Sequence, residues 1–270
     1  MNLSIEPNTR ITYGVRYQDE HLLVIEKPAH VPTQPGKGHQ TDTLLNALFA
    51  QFGQQLQNLG KARDFGLLHR LDKETSGLLI VGLRTAAYDA LREQFMNRQI
   101  KKYYWAVCDG VPKKLSGVIK LPIAEGQGSE GKGPKKLAHI SRVSPGMGGG
   151  KIAITAYRVL EQSDSATMIE ARPITGRLHQ IRVHLEAIGC PILGDTFYGP
   201  RRVHAASPRV ALHSHRVVFT HPVTGQTVDV RTDWPNDLRR LLKAVRLHRP
   251  TAKATPPAEM DSGSTDESEA

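Results

Sequence analysis

Nine consecutive residues gather groups that could do chemistry: His69-Arg70-Leu71-Asp72-Lys73-Glu74-Thr75-Ser76-Gly77. With His69 left uncounted as neutral, six of the nine are charged or hydroxylic. They lead into Gly77-Leu78-Leu79-Ile80-Val81-Gly82, whose unbroken apolarity between glycines predicts a short buried strand. A polar loop anchored by such a strand presents its side chains rigidly, as a working carboxylate at Asp72 would require. An ordinary polar turn entering a strand reads the same way locally.

A second constellation lies at 176–188, which reads as a helix ending at Gly189 with Pro191 just beyond. On a helical wheel Leu178, Ile181, Leu185 and Ile188 form one apolar stripe, and Arg182 falls about 40° from Leu178, at its edge. A guanidinium there loses water and needs a carboxylate or phosphate partner. Asp72 is one candidate acid, and a purely structural salt bridge is the alternative. His179 and His184, five residues apart, do not share a helix face as a zinc pair would. His213 and His215 alternate along a strand with no evident third ligand. Asp72 and Glu74 are too close in sequence to define the geometry of a glycosidase pair. The chain has no phosphate-binding loop, dinucleotide fingerprint or nucleophile elbow, so neither a metal nor an organic cofactor is expected.

The elements that must carry these groups alternate between strands and helices. Val15–Pro28 reads as a hairpin turning at Asp19-Glu20, followed by a Pro/Gly loop over 31–40. Thr41 or Asp42 can cap a helix reaching about Phe52, with Leu44, Leu45, Leu48 and Phe49 on its apolar face. A helix at about 85–97 and a strand at about 102–109 come next. Residues 125–150 are glycine-rich with Lys132, Lys135, Lys136 and Arg142, a mobile basic loop. Strands follow near 151–161, 166–172, 209–220 and 226–230, with a last helix after Pro235. This order predicts an α+β fold on one extended sheet.

Charge narrows the partner. The chain carries +10 overall, yet 251–270 holds only Lys253 against five acids, a local −4 that leaves +14 on the first 250 residues. A body that basic points to a polyanion, most simply nucleic acid, while the acidic low-complexity tail reads as disordered. Cys108 and Cys190 lack metal or disulfide spacing and read as free thiols. No apolar run approaches the roughly 18 residues of a membrane span and no signal pattern opens the chain, so the cytoplasm is expected.

The motifs resemble one family. HRLDKETSGLLIVG at 69–82 is similar to the signature of the RluA/RsuA group of pseudouridine synthases, the RluA branch above all. Asp19–Pro28 resembles that family's opening hairpin, and Arg98–Gly110 its tyrosine motif, aligning Lys102, Tyr104, Ala106 and Gly110. Thr175–Leu185 with Gly194-Asp195 and Tyr198-Gly199 resembles its arginine motif, and Leu212-His213 with His221-Pro222 its closing strands. The likeness runs in order from about 15 to 230.

The resemblance implies one catalytic domain over 1–250, a mixed, mainly antiparallel sheet, and a central RNA cleft. It implies an isomerase that detaches uracil from C1′ of a uridine in structured ribosomal or transfer RNA, rotates it, and rejoins it through C5. Asp72 resembles the essential aspartate, acting either at C1′ or on the C2′ proton. Either role needs a carboxylate, whose charged form a paired Arg182 would favour. Tyr104 matches the tyrosine that stacks on the base and takes the C5 proton, and Leu212 the apolar residue across from it. Arg70 matches the arginine that enters the RNA to support the extruded base. His69, Arg177, His179 and Gln180 complete the substrate-binding set. The enzyme would work as a monomer.

Some features depart from the pattern. No S4 RNA-binding module is expected ahead of the first strand, so grip would fall to the catalytic domain and its basic loop. His30 stands where relatives commonly carry glycine. Tyr103 adjoins Tyr104, and a shift of one residue would exchange them. A non-catalytic RNA-binding or folding factor is the competing class, and a histidine-based metal nuclease a third.

Overall fold

The anticipated hairpin forms as β1 (Gly14–Gln18) and β2 (Leu22–Lys27), turning where Asp19 accepts the backbone N–H groups of His21 and Leu22. The computed structural model describes residues 3–125, 138–140 and 150–250. The acidic tail and most of the basic loop, including its four named basic residues, lie outside the described residues. The remaining elements are α1 (Leu44–Leu59), β3 (Ser76–Gly82), α2 (Thr85–Met96), β4 (Lys101–Asp109), β5 (Ser116–Lys120), β6 (Ile123–Glu125) and β7 (Ala138–Ile140). After them come β8 (Ile154–Gln162), β9 (Ala166–Pro173), α3 (Gln180–Ala187), α4 (Arg201–His204), β10 (Leu212–Thr220), β11 (Thr227–Arg231) and α5 (Arg239–Ala244).

The fold is α+β, as the sequence predicts. One sheet runs β1-β2-β3-β10-β4-β9-β8-β5, with β11 pairing β10. Its pairings are antiparallel except where β3 meets β10 in parallel, over His213 opposite Ser76 and Ser214 opposite Gly77. That short parallel contact joins an N-terminal half carrying the 69–77 loop to a C-terminal half carrying β4 and β10. Every residue of β3 and of β9 is buried, which explains why β3 reads as a continuous apolar run.

Several boundaries differ from expectation. The cap of α1 is Thr43, not Thr41 or Asp42: its hydroxyl accepts from the Asn46 backbone, and the Asn46 side chain returns the bond. Burial of Leu56 and Leu59 carries this helix past Phe52, where it kinks, to Leu59. The helix predicted at 176–188 begins only at Gln180, because His179 takes a left-handed conformation, φ 53°. Leu178 therefore leaves the stripe it was assigned to and packs with Ile123, Val183 and Tyr198. Past Pro235 the chain makes a single tight turn at Asn236–Leu238 before α5. The short β5, β6 and β7 and the single turn of α4 carry too little periodicity to be read from sequence. His30 adopts φ 63°, the region a glycine enters without strain.

Candidate active site

Side chains alternate across a sheet, so register decides which of them meet. Tyr104 sits opposite Ser214, and Leu212 opposite Ala106, which puts Tyr104 and Leu212 on one face. Tyr103 and Trp105 turn to the other face, where Tyr103 packs under the Arg216 guanidinium and Trp105 stacks on His215. The tyrosine facing the cleft is thus Tyr104. Loss of water raises its hydroxyl well above the usual tyrosine range, so it stands as a neutral phenol.

Below this face opens a cleft of about 560 Å³. Its lining includes every sequence-nominated residue: His69, Arg70, Asp72, Tyr104, Arg177, His179, Gln180, Arg182 and Leu212. Arg92, Arg98 and Lys102 also line it, so among the described residues Asp72 is the one acid beside six basic side chains there. A wall of that sign attracts a polyanion.

The 71–76 loop that carries Asp72 is held from three sides. The Thr33 hydroxyl donates to the Leu71 carbonyl at 2.8 Å and accepts the Leu71 N–H at 3.1 Å. The Thr75 N–H closes a turn on the Asp72 carbonyl. From beneath, the fully buried Lys27 donates to the carbonyls of Pro28, Val31 and Lys73. Burial and the Arg209 charge push its ammonium down to about 7, against the pull of Asp72 and Glu74.

Arg182, 4% exposed, does find Asp72: Nη1 donates to Oδ2 at 3.1 Å. A second acid, not anticipated, binds it more fully. Asp195 accepts from Nε at 2.8 Å and from Nη2 at 2.9 Å, and also takes the N–H groups of Phe197 and Tyr198. Burial alone would raise the Asp195 carboxyl, but Arg182 and those amides outweigh it and hold it below its usual value. The guanidinium also lies against the rings of Phe197 and Tyr198. Asp195 thus fixes the plane of Arg182, which reaches Asp72 with its remaining nitrogen.

The other nominated residues divide. His179 Nε2 is 3.7 Å from Asp72 Oδ2, its Nδ1 meets the Tyr198 hydroxyl at 2.7 Å, and burial lowers its pKa, favouring the neutral ring. Arg70 is exposed at the cleft and free of ion pairs among the described residues. His69 accepts the Ile80 N–H through Nε2 and packs on Phe95, which ties the loop to β3. Gln180 is committed internally: it accepts from Thr175 and the Arg177 N–H and donates to Ile154 and Thr155. Arg177 donates to the Ile152 carbonyl. His213 meets Ser76 and His215 meets Glu170, and no cluster suited to a metal occurs among the described residues. Cys108 and Cys190 are buried and free.

A mixed sheet crossed by a basic cleft, with an arginine-held carboxylate among its described lining residues, is a surface suited to a polyanion. A family model for RNA pseudouridylate synthase matches residues 21–187. The chain is 37% identical over 244 residues to ribosomal large subunit pseudouridine synthase D of Zymomonas mobilis, covering 88% of this chain and 74% of that one. It is 35% identical over 232 residues to the uncharacterized RNA pseudouridine synthase YlyB of Bacillus subtilis, covering 86% and 72%. Among solved structures, human RNA pseudouridylate synthase domain containing 4 superposes with a TM-score of 0.68 at 26% identity, over 88% of this chain and 95% of that one. The chain belongs to the RNA pseudouridylate synthase family and is an isomerase acting on RNA.

Proposed function

We propose that this enzyme converts one or a few uridines of structured large-subunit ribosomal RNA to pseudouridine, with Asp72 as the reacting carboxylate. The observation that carries the reading is the Asp195–Arg182–Asp72 chain in a basic cleft walled by Tyr104 and Leu212. The RNA class follows the names of the relatives, which act on the large ribosomal subunit. The enzyme works as a monomer, and a ribosomal substrate puts the work in the cytoplasm.

The target nucleotide must leave its stack, at a cost of a few kcal/mol. Arg70 takes its place in the helix and meets the phosphates. The extruded uracil lies between the Tyr104 ring and Leu212. Asp72 then acts on the ribose, either attacking C1′ as the N1–C1′ bond breaks or removing the C2′ proton to leave a glycal. The freed uracil turns within the pocket and bonds to C1′ through C5, as the Asp72–C1′ bond breaks or, from the glycal, as C2′ takes its proton back from the Asp72 carboxyl. Last, the C5 proton leaves by way of the Tyr104 hydroxyl, whose oxygen accepts it as the hydroxyl passes its own proton on, and N1 of the product takes up a proton. Arg182 keeps one Asp72 oxygen engaged and leaves the other to face the sugar. No atom is gained or lost overall.

Asp72→Asn is expected to abolish isomerisation while RNA affinity stays within about twofold. Pseudouridine mapping of ribosomal and transfer RNA from cells lacking the gene, complemented with wild type or Asp72→Asn, checks this. Restoration of a lost site by Asp72→Asn would remove Asp72 as the reacting carboxylate, and loss of no site in either RNA would favour an RNA-binding factor.

A further inference from the structure

Asp72 and Leu212 belong to different halves of the sheet, and the join between those halves spans just two residue pairs. A pairing that short supplies few backbone hydrogen bonds across the join. Besides the Ser76–His213 and Ser214–Leu78 bonds, one charged side chain crosses beside it. Arg209, with a fully buried guanidinium, donates through Nη1 to the carbonyls of Glu74 at 3.2 Å, Val210 at 3.1 Å and Leu212 at 3.3 Å. Nη2 donates to the Ser76 hydroxyl at 2.9 Å, and Nε and Nη2 both reach the half-exposed Asp237.

We propose that Arg209 is a positioning residue for the isomerisation, setting the Asp72 loop against the Leu212 wall of the base pocket. A buried cation is a poor way to gain stability, since an apolar residue of the same volume does as well or better. What a guanidinium adds is a rigid fork of five donors, and here that fork spans three chain segments: the loop at 74–76, the start of β10, and the turn at 237. The main chain of Arg209 adds a fourth link. Gly194 packs on its carbonyl so closely that a Cβ at 194 would stand 2.0 Å from the oxygen, and the next residue is Asp195. Supports of Asp72, of Leu212 and of Arg182 thus converge on one residue that does not line the cleft.

This inference rests on Asp72 being the reacting carboxylate, and the experiment separates the two claims. Arg209→Lys, Arg209→Met and Ser76→Ala are assayed by single-turnover isomerisation at saturating RNA, by RNA affinity and by thermal melting. A displaced loop is expected to slow Arg209→Lys and Arg209→Met by about tenfold to a hundredfold. RNA affinity should stay within about twofold in whichever of them melt cooperatively. Ser76→Ala, which removes the Arg209 tie together with the Ser76–His213 bond but no charge, is expected to slow the same step severalfold. It also keeps the proposal testable if both Arg209 variants fail to fold. Wild-type turnover in a folded Arg209 variant or in Ser76→Ala, beside an inactive Asp72→Asn, would overturn the proposal alone. An active Asp72→Asn would instead remove the reading beneath it. A loss of affinity with unchanged turnover would also overturn the proposal, since it would make Arg209 a support for binding only.

Discussion

Asp195 illustrates how a site depends on residues that never meet the substrate. Its carboxylate takes two of the Arg182 nitrogens and two backbone amides in a buried setting, leaving one arginine nitrogen for Asp72. Removing one partner of a buried pair costs far more than the pair contributes, because the remaining charge is stranded. Asp195→Asn is therefore expected to lower stability by about 3 kcal/mol. With its plane no longer fixed, Arg182 would shift relative to Asp72, and turnover should fall about a hundredfold. Chemical denaturation and single-turnover assays measure the two losses. An Asp195→Asn variant that melts lower but turns over normally would confine Asp195 to stability.

At the scale of the elements, the crossing of β3 and β10 controls the geometry. Gly77 has φ 115°, and a Cβ there would stand 2.2 Å from the Ser214 carbonyl oxygen and 2.6 Å from its nitrogen. Both obstacles are backbone, so neither can rotate aside. Gly77→Ala would have to part the strands that bring Asp72 toward Tyr104 and Leu212. The expected loss is 2 kcal/mol or more, about the upper range for core overpacking. Gly36→Ala, which meets nothing within 4 Å, should change stability by less than about 0.5 kcal/mol. Equal melting curves for the two variants would show that the crossing is looser than its contacts imply.

Over the whole molecule, charge is unevenly spread. Arg92, Arg98 and Lys102, around the turn from α2 into β4, extend the basic wall beyond the residues nominated from sequence. Met96 stands beside them 74% exposed, so apolar surface adjoins the charged groups. RNA crossing this wall would release counterions, and each arginine that meets a phosphate adds about one to the salt dependence of binding. Arg92→Gln and Arg98→Gln are each expected to lower the slope of log affinity against log salt by about one, measured by filter binding. Unchanged slopes in both variants would move the RNA path to the Arg70 and Arg177 side.

Much of this molecule is readable from the chain itself. The buried β3, the hairpin, α2, and the α+β class follow from apolar periodicity and turn residues, because these signals act over a few neighbouring positions. The polar loop at Asp72 and the need of Arg182 for an acid are readable for the same reason: burial of a charge is a local demand. Which acid answers that demand is not local. Asp195 lies thirteen residues from Arg182 and Asp72 lies 110 away, and only the packing of α3 against the 195–198 turn and the loop brings them together. The supports at Thr33, Lys27 and Arg209 were equally silent, since a hydroxyl or a cation acquires its role from carbonyls that folding brings to it. The late start of α3 was decided by tertiary structure too, where Gln180 spends its amide on β8 and on the turn before it. Sequence determined which chemistry was available and on what scaffold. Tertiary structure decided which groups share it, because hydrogen bonds and ion pairs depend on distances that the order of residues does not encode.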